Sequence, residues 1–381
     1  MLKGKGIFRL NDWWMSKAAM LMGMVYIFTL WFGIPFPQFL NLALLSLATI
    51  SGFASTGYLL NDFFDREKDF KAGKENFLLG KPAWLILLLF IVSISLLFLP
   101  WIKLPFDRFS LALIVAEVLL LLAYSLPPIR LKERGMAGII TDSLYAHTVP
   151  VVLACYTFSL AAGYGLVVLP VILLVVWQSA MGVRNILIHQ ADDMELDKLS
   201  GSKNWVQQLS PGYFYKCIWR IILVEVIGSL AFFSWLCYEQ VSFWPVILVV
   251  CFLCLMALIR FKEAGIKQML ESRSRVFPNA VFEKWIPVAV LFVLGFSNFL
   301  FWLVLVLHVA VFSLQTYFKA AAQGNIYGAK LYWRLERIPF RAPFSFAVNY
   351  CIYCVFLLAG VNLKKENMSA LDYLNRKKQD K

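Results

Sequence analysis

Ten long apolar runs recur along the 381-residue sequence, and they restrict the possible fold more than any other feature. A helix needs roughly 17–25 apolar residues to cross the hydrocarbon core of a membrane. The runs lie near 17–35, 39–60, 83–101, 109–127, 138–158, 163–183, 217–236, 243–260, 285–314 and 344–361. Period-two alternation is absent from them, so they predict helices rather than the strands of a membrane barrel. With 60% apolar and 15% charged residues, the chain is not a water-soluble globule.

We therefore expect an all-α, polytopic membrane bundle of about 9–11 transmembrane helices. The run at 285–314 is too long for one comfortable span and too short for two. It is either one tilted helix or a compressed hairpin broken near Gly295, Ser297 and Asn298. We expect residues 1–314 to form the transmembrane core. Residues 315–381 would then form an extension with one further span and a basic tail.

The excess of positive charge indicates how the chain lies in the membrane. The sequence has 36 Lys and Arg against 23 Asp and Glu, a net charge of +13. If the N-terminus is cytosolic and the first eight runs alternate, 23 Lys and Arg fall on the cytosolic side and only Lys103 and Arg108 on the other. This distribution follows the positive-inside rule. We expect a multi-pass protein of the cell membrane with a cytosolic N-terminus and no nucleic-acid partner.

Two acidic clusters follow the second and sixth runs, both on the predicted cytosolic side. The first group of acids is Asp62, Asp65, Glu67 and Asp69, and the second is Asp192, Asp193, Glu195 and Asp197. The aspartates at helical spacing are called the first acidic cluster (Asp62, Asp65 and Asp69, with the adjacent Asn61) and the second acidic cluster (Asp193 and Asp197). Within each cluster the spacing of the aspartates places them on one face of a helix. Like charges at this spacing repel one another, so we expect a bound cation. Carboxylate oxygens are the ligands that Mg²⁺ prefers.

Basic residues narrow the choice of ligand, because carboxylates alone would suit calcium or a transported cation equally well. Lys68 lies within the first cluster, Lys198 follows the second, and Arg130 and Lys132 lie on the same side of the membrane. Metal ligands beside Lys and Arg suit a diphosphate, whose charge must be neutralised and whose departure must be stabilised. The alternative is a solvated loop of mixed charge, but both clusters share the same placement at a helix end.

A short repeated segment predicts an internal duplication. Residues 129–135 recur at 259–265 with five of seven identities. Their offset of 130 positions nearly equals the 131 positions between Asp62 and Asp193. We therefore expect two parallel four-helix repeats, followed by C-terminal helices, with both acidic clusters facing one cavity.

These motifs resemble those of the UbiA family of intramembrane prenyltransferases. The first acidic cluster is similar to that family's first aspartate-rich motif, and 189–201 is similar to its second. Residues 124–132 resemble the loop after its fourth helix, and 9–17 resemble the start of its first helix. The resemblance covers roughly 9–265. Residues 72–76 and Asn204 depart from the family pattern, which leaves the substrate open.

The resemblance implies transfer of an isoprenyl group from a prenyl diphosphate to a hydrophobic acceptor in the membrane lipid, with release of diphosphate. The acceptor would be an aromatic compound, a quinone precursor or a lipid. Asp62, Asp65 and Asp69 would bind one Mg²⁺, and Asp193 and Asp197 a second. Tyr124 would stabilise the allylic cation with its ring, and His189 would contact the acceptor or act as a base. The expected substrate-binding residues are Asn61, Lys68, Tyr124, Arg130, Lys132, His189 and Lys198.

Two other functions fit parts of this pattern. A terpene cyclase of similar fold would ionise the same diphosphate and close the chain on itself without an acceptor. A transporter would also use internal repeats, but it predicts carboxylates near the bilayer midplane in broken helices. In the core, polar residues are candidates for function because they are costly inside a membrane, although an interhelical hydrogen bond or an interfacial position is the favoured explanation for each. These residues are Glu117, Asp142, His147, Glu225, Asn298 and His308.

Overall fold

The chain folds into a bundle of helices in the computed structural model, which describes residues 13–71, 73, 76–199, 205–248, 279 and 281–312. Throughout these ranges no residue lies in a strand, so the predicted all-α class is confirmed. The second copy of the repeated segment, at 259–265, lies outside the described residues. So do the predicted extension at 315–381 and most of the run at 243–260.

The helices of the described residues are numbered in chain order. They are α1, Ala19–Phe32; α2, Phe36–Lys71; α3, Ala83–Phe98; α4, Arg108–Ser125; α5, Met136–Ala161; α6, Val168–Asp192; α7, Met194–Leu199; α8, Pro211–Glu239; α9, Ile286–Ser297; and α10, Leu300–Val311. Three π-helical turns accompany them: Trp14–Ala18 leads into α1, Leu144–Thr148 lies inside α5, and Val281–Trp285 leads into α9. Such turns are rare, and they often occur at functional sites.

Six of these helices, α2 to α6 and α8, are long and apolar enough to cross a membrane. On α3, which a 3₁₀ turn extends to Ile102, one face exposes large apolar side chains such as Leu87 (62%) and Ile91 (53%). Exposed apolar faces of this extent are unfavourable in water but match the acyl chains of a bilayer. The described part of the chain is therefore a multi-pass membrane bundle.

Two helices continue far beyond the ends of the apolar runs that predict them. The run at 39–60 belongs to α2, which continues to Lys71, and the run at 163–183 belongs to α6, which continues to Asp192. Neither 58–71 nor 183–192 contains glycine or proline, so nothing in these stretches interrupts the helix after the apolar run ends. As a consequence, the first acidic cluster lies on a helix rather than after one.

The ninth apolar run forms a hairpin of two short helices. Between α9 and α10 the chain breaks at Asn298, whose side-chain Oδ1 accepts a hydrogen bond from the backbone N–H of Leu300 at 3.0 Å. The indole of Trp302 packs against Gly295 so closely that a Cβ at that position would clash with it. Of the two arrangements that the sequence leaves open, the structure has the compressed hairpin, with its break where the sequence predicts one.

The core of the bundle forms around α1, nearly all of whose residues are buried, between α5 and α9. α5 and α6 approach one another closely at Gly182, where a Cβ would overlap with Ser143. Ser143 Oγ donates to the backbone carbonyl of Ser179 at 2.8 Å across this contact. Small residues with interhelical hydrogen bonds are the usual means of packing helices in a membrane.

A buried ion pair joins α6 to α8. Arg184 binds Glu225 through two hydrogen bonds, Nε to Oε2 at 2.6 Å and Nη2 to Oε1 at 2.9 Å. Both side chains are 1% exposed. Asn185 and Asn279 also accept hydrogen bonds from Arg184. The interhelical interaction that the sequence leaves as one explanation for Glu225 is therefore present, and its partner is an arginine just beyond the predicted sixth run.

Candidate active site

Both acidic clusters lie at one end of the bundle, called the motif end, where α2, α4 and α6 finish and α3 and α5 begin. Lys132, in the loop between α4 and α5, donates a hydrogen bond from Nζ to Asn61 Oδ1 of α2 at 2.6 Å. Gly135 of the same loop lies beside Trp205, which follows the second cluster; a Cβ at Gly135 would be 3.8 Å from the indole Cδ1. The α4–α5 loop therefore contacts the first acidic cluster and lies beside the segment that begins at Trp205.

The first acidic cluster is fixed by α2 and by the turn after it. Asp62 is 2% exposed and accepts a hydrogen bond from the backbone N–H of Phe77 at 3.3 Å. The side-chain amide of Asn76 donates to Asp69 Oδ2 at 2.8 Å and also to the backbone carbonyl of Asp62 at 2.8 Å. The polypeptide after α2 thus folds back and holds two of the three aspartates in place.

Two cations converge on Asp65, the remaining aspartate of this cluster. Asp65 accepts hydrogen bonds from Arg130 Nη2 and from Lys132 Nζ, and these three side chains are only 12–15% exposed. Arg130 has a left-handed backbone conformation, with φ 42° and ψ 57°. This conformation costs a non-glycine residue about 1–2 kcal/mol and is typical of functional sites. In this strained backbone conformation the guanidinium of Arg130 reaches Asp65.

Glu133 extends this network to Lys68 of α2. Its Oε1 accepts from Lys68 Nζ at 2.6 Å and from Arg130 Nε at 2.8 Å. Burial alone would raise the pKa of Glu133, but these hydrogen bonds outweigh it and leave the pKa below its usual value. Burial lowers the pKa of Lys132, against the opposing effect of the Asp65 carboxylate. Lys68, Arg130 and Lys132, three of the predicted diphosphate contacts, are thus gathered at the first acidic cluster.

The second acidic cluster is more open. Asp193 follows the last residue of α6, and its backbone carbonyl accepts from the N–H of Asp197 at 2.8 Å, so the two aspartates are one helical turn apart as predicted. Asp193 Oδ2 lies 3.5 Å from His189 Nε2, and the side chains of Asp193 and His189 are 44% and 59% exposed. Lys198 lies on α7, beside Asp197.

The chemistry of these donors suits a hard divalent cation, since every predicted ligand in both clusters is a carboxylate oxygen. In the described ranges, however, no three His, Cys, Asp or Glu side chains are grouped as a metal site. In the first cluster the carboxylates are not grouped around one point because other protein groups bind them: Asp65 is bound by Arg130 and Lys132, and Asp69 by Asn76. The residues of both clusters fit a metal in type and in helical spacing, and in the first cluster Asp65 and Asp69 are bound by protein cations and an amide.

Aromatic and polar side chains continue from the motif end into the bundle. The rings of Tyr124 and Tyr145 are 5.1 Å apart, and Tyr145 donates from its hydroxyl to Asp142 Oδ1 at 2.8 Å. Tyr124 is the residue before the last of α4, at the motif end. The predicted cation-stabilising residue therefore lies between the first acidic cluster and the interior.

The other polar residues predicted inside the core divide into two groups. His308 Nδ1 is 3.0 Å from the hydroxyl of Tyr26 on α1, and Asn298 caps α10, so both have structural partners. Glu117 and His147 are 1% and 4% exposed, and Glu117 Oε2 and His147 Nδ1 have no hydrogen-bond partner within the described ranges. No partner among the described residues therefore compensates for the burial of Glu117 Oε2 and His147 Nδ1.

Sequence reasoning missed three residues of this region: Asn76, Glu133 and Tyr145. Glu133 stands beside Lys132 in the basic loop, and an acid among cations is a signal for an ion-pair network. Tyr145 follows Asp142 by three residues, the spacing of side-chain neighbours on a helix. Asn76 shows no such signal, because its role depends on how the chain turns after α2.

Comparison with known proteins finds relatives at the level of structure only. No family model and no curated protein matches the sequence. Structures of a UbiA homologue from Archaeoglobus fulgidus bound to GPP and Mg²⁺, and to DMAPP and Mg²⁺, superpose with TM-scores of 0.50 and 0.51. They are 15% identical, and the match covers 73% of this chain and 96% of theirs.

A third similar structure comes from a different organism. The apo structure of a UbiA homologue from Aeropyrum pernix K1 has a TM-score of 0.50 and 15% identity, over 74% of this chain and 97% of that one. Nearly the whole length of these structures is therefore matched by this chain. The chain shares its fold with these UbiA homologues.

Proposed function

We propose that this protein is a membrane prenyltransferase that moves an isoprenyl group from a prenyl diphosphate to a hydrophobic acceptor, with Mg²⁺ as cofactor. The observation that supports this most strongly is the convergence of Arg130 and Lys132 on Asp65 and Asn61. Oxygen ligands for a metal and cations for a phosphate are thereby placed together. They lie in a fold whose similar structures were determined with GPP, DMAPP and Mg²⁺.

In this proposal the two acidic clusters hold the metal ions. Asp62, Asp65 and Asp69 would bind one Mg²⁺, and Asp193 and Asp197 a second. When bound, Mg²⁺ neutralises the diphosphate and stabilises the negative charge that develops on it as it leaves. Asp65 would exchange its present partners for the metal, since a carboxylate satisfied by two cations can be satisfied equally by a divalent one.

Arg130, Lys132 and Lys68, released from Asp65 and Glu133, would then bind the diphosphate oxygens. Arginine and lysine suit this role because their charge-assisted hydrogen bonds to phosphate are short and strong. Lys198 would contribute from the side of the second cluster. The same cations that hold the loop together before substrate arrives therefore become the substrate's partners.

The reaction breaks the bond between the allylic carbon and the diphosphate oxygen, and the electron pair of that bond stays with the diphosphate. The allylic carbon gains cationic character, which the ring face of Tyr124 stabilises. A nucleophilic atom of the acceptor bonds to this carbon and loses a proton. His189, exposed beside Asp193, would contact the acceptor or take up that proton.

We infer that the motif end faces the cytosol, because 23 Lys and Arg fall on that side and two on the other. The acidic clusters lie on or directly after continuous helices near their ends. A transporter would place them near the bilayer midplane in broken helices.

The test is Mg²⁺-dependent release of diphosphate from geranyl diphosphate (GPP) by the purified full-length protein. Replacement of Asp62 or Asp193 by alanine should lower the rate on the order of 10³-fold, because each removes charge stabilisation of the leaving group. Asp107→Asn, at the opposite end of α4, is the matched control and should retain the wild-type rate. Unchanged release in both alanine variants would contradict the metal assignment.

Product analysis separates transfer from cyclisation. With GPP as the only organic substrate, a terpene cyclase yields a cyclised hydrocarbon or alcohol at the wild-type rate of diphosphate release. A prenyltransferase yields a new carbon skeleton only when an acceptor is added. A cyclic product formed without acceptor would overturn the transfer reaction and leave the diphosphate site intact.

A further inference from the structure

A cavity of about 330 Å³ lies between the end of α2 and the turn that leads into α3. Three cations, Arg66, Lys71 and Lys81, line it together with a single carboxylate, Glu67, so the lining has a net charge of +2. The rest of the lining is apolar and includes Phe70, whose side chain is 73% exposed. The volume is within the range of cavities that bind small ligands, and the charge favours an anion.

This cavity lies on a different face of α2 from the first acidic cluster. Its four lining residues on α2 are Arg66, Glu67, Phe70 and Lys71, whose spacing places them on one face of the helix. At 3.6 residues per turn, the centre of that face is roughly 140° around the helix axis from the centre of the three aspartates. The cavity is therefore separate from the proposed diphosphate site.

The cavity is also at the level where the membrane begins. Lys81 comes two residues before α3, which with its 3₁₀ extension is long and apolar enough to span the membrane from Ala83 to Ile102. Trp84, in the first turn of α3, is 66% exposed, and tryptophan is enriched at the boundary between headgroups and acyl chains. Leu87 and Ile91 follow Trp84 at three and seven residues and are exposed on the same face. An apolar strip for acyl chains therefore begins one helical turn after Lys81.

The three cations of the cavity have aromatic neighbours rather than carboxylate partners. The Arg66 guanidinium is 5.6 Å from the ring centroid of Phe63, and Lys81 Nζ is 5.6 Å from that of Phe77. In the part of the chain that the structure describes, neither these two side chains nor Lys71 forms an ion pair. Like charges around one cavity repel one another, so a bound anion would stabilise the arrangement.

We propose that this cavity binds the phosphate of an anionic phospholipid of the cytosolic leaflet, whose acyl chains lie along the strip of Trp84, Leu87 and Ile91. The cations of the cavity donate charge-assisted hydrogen bonds to the phosphate oxygens. Basic pockets on the cytosolic side of transmembrane helices are a known means of binding anionic headgroups. A soluble phosphate would use the cations alone, whereas a lipid uses the cations and the apolar strip together. This site does not depend on the proposed prenyl transfer.

The turn that lines the cavity also holds the first acidic cluster. Leu78 lines the cavity, and its backbone N–H donates to Asn76 Oδ1 at 3.0 Å. Asn76 in turn donates to Asp69, and the backbone N–H of Phe77 donates to Asp62. Because a ligand that binds only the folded state stabilises it, a lipid bound here stabilises the turn that positions these aspartates.

The test is competition between palmitoyl-oleoyl phosphatidylglycerol and palmitoyl-oleoyl phosphatidylcholine for the purified full-length protein in dodecyl maltoside, with bound lipid counted by native mass spectrometry. The first phosphatidylglycerol should bind at least about tenfold more tightly, because only this lipid has a net negative charge. Lys71→Gln/Lys81→Gln should reduce the preference to about threefold or less. Lys103→Gln/Arg108→Gln, which removes the same charge at the other end of the bundle, should retain it. No preference in the wild type, or an equal loss in both double variants, overturns the proposal.

Glu67→Gln is expected to strengthen binding, a result that misfolding cannot produce. It raises the net charge of the lining from +2 to +3 and should increase the preference for phosphatidylglycerol at least about twofold. An unchanged or lower preference in Glu67→Gln contradicts the assignment of the cavity as the lipid site.

Water-soluble competitors identify the source of the phosphate. Glycerophosphoglycerol, the headgroup without acyl chains, and inorganic diphosphate should displace little phosphatidylglycerol at concentrations equal to that of the lipid. Displacement by either compound would show that the cavity binds a soluble phosphate, and the lipid site would then be wrong.

Discussion

The two acidic clusters lie at the same end of the bundle, yet the protein holds them very differently. In the first cluster Asp65 is bound by Arg130 and Lys132, and Asp62 is 2% exposed. In the second cluster Asp193 is 44% exposed and contacts His189 at 3.5 Å. The first cluster is organised before any ligand arrives, as a precise site must be. In the second, the Asp193 side chain stays largely exposed.

The second cluster nevertheless stands on a well-anchored helix. Arg184 lies nine residues before Asp193 on α6, and its buried pairing with Glu225 fixes that helix to α8. Arg184 also binds Asn279, which precedes α9. The two clusters are therefore fixed in different ways. In the first, hydrogen bonds hold the aspartate side chains themselves. In the second, the Arg184–Glu225 pair holds the helix that carries the cluster.

The largest expected effect follows from removing that anchor. Glu225→Gln leaves the Arg184 charge buried without a counter-charge, so unfolding should become easier by about 3–5 kcal/mol. This corresponds to a fall in the thermal midpoint of about 10 °C. Thermal unfolding of the detergent-solubilised protein measures it, and hydrogen exchange should increase at the end of α6 before it increases at the end of α2.

Glu239→Gln, an exposed carboxylate on the same helix α8, is the control and should change the midpoint by less than about 2 °C. If Glu225→Gln is as stable as the control, the order of the second cluster does not depend on the α6–α8 pair.

The architecture was largely predictable because its main signal, apolar length, is a local property of the sequence. The runs at 83–101 and 109–127 lie within a few residues of α3 and α4. The ends of α2 and α6 were not predictable from hydropathy, because helix formation continues where polarity rises if no residue interrupts it. The break at Asn298 was predictable only as one of two arrangements, since the packing of Trp302 on Gly295 that decides it is not local.

A smaller effect separates the two clusters directly. Asp65→Ala leaves Lys132 without its carboxylate partner and Arg130 with Glu133 alone, and both cations are mostly buried, so stability should fall by about 2–3 kcal/mol. Asp193→Ala removes an exposed side chain and should change stability by about 0.5 kcal/mol or less. Both variants should lose diphosphate release to a similar extent. Chemical or thermal unfolding beside the activity assay measures this contrast.

Asp65→Asn tests the cause, because its amide oxygen still accepts hydrogen bonds but carries no charge. Its stability should lie between the wild type and Asp65→Ala. Equal losses of stability in Asp65→Ala and Asp193→Ala would remove the distinction between an organised and an open cluster.

The residues of the site were predictable where a motif groups them, as with the aspartates, Arg130 and Lys132. Their partners were harder to predict. Arg184 lies one residue beyond the predicted sixth run. Because the run was predicted to end before α6 does, Arg184 was placed outside the core, whereas it is buried. Asn76 reaches back to Asp69 across a turn whose path depends on the packing of α3 against α2. Tertiary structure, rather than residue type, selects such partners.

The smallest expected effect is on the pH dependence of the first cluster. The pKa of Glu133 is lower in the folded protein than its usual value of about 4.3, so the ionised form stabilises the fold. This contribution is complete above the unfolded pKa and disappears as the pH falls through the folded pKa. Glu133→Gln should lower the thermal midpoint at pH 7 by about 2 °C, as expected for a partly exposed ion pair. The difference should close between pH 5 and about pH 3. Glu67→Gln, which removes an exposed acid on α2, is the control. If the midpoint difference between Glu133→Gln and the wild type stays constant from pH 7 to pH 3, hydrogen bonds of Glu133, rather than its charge, hold Lys68 and Arg130.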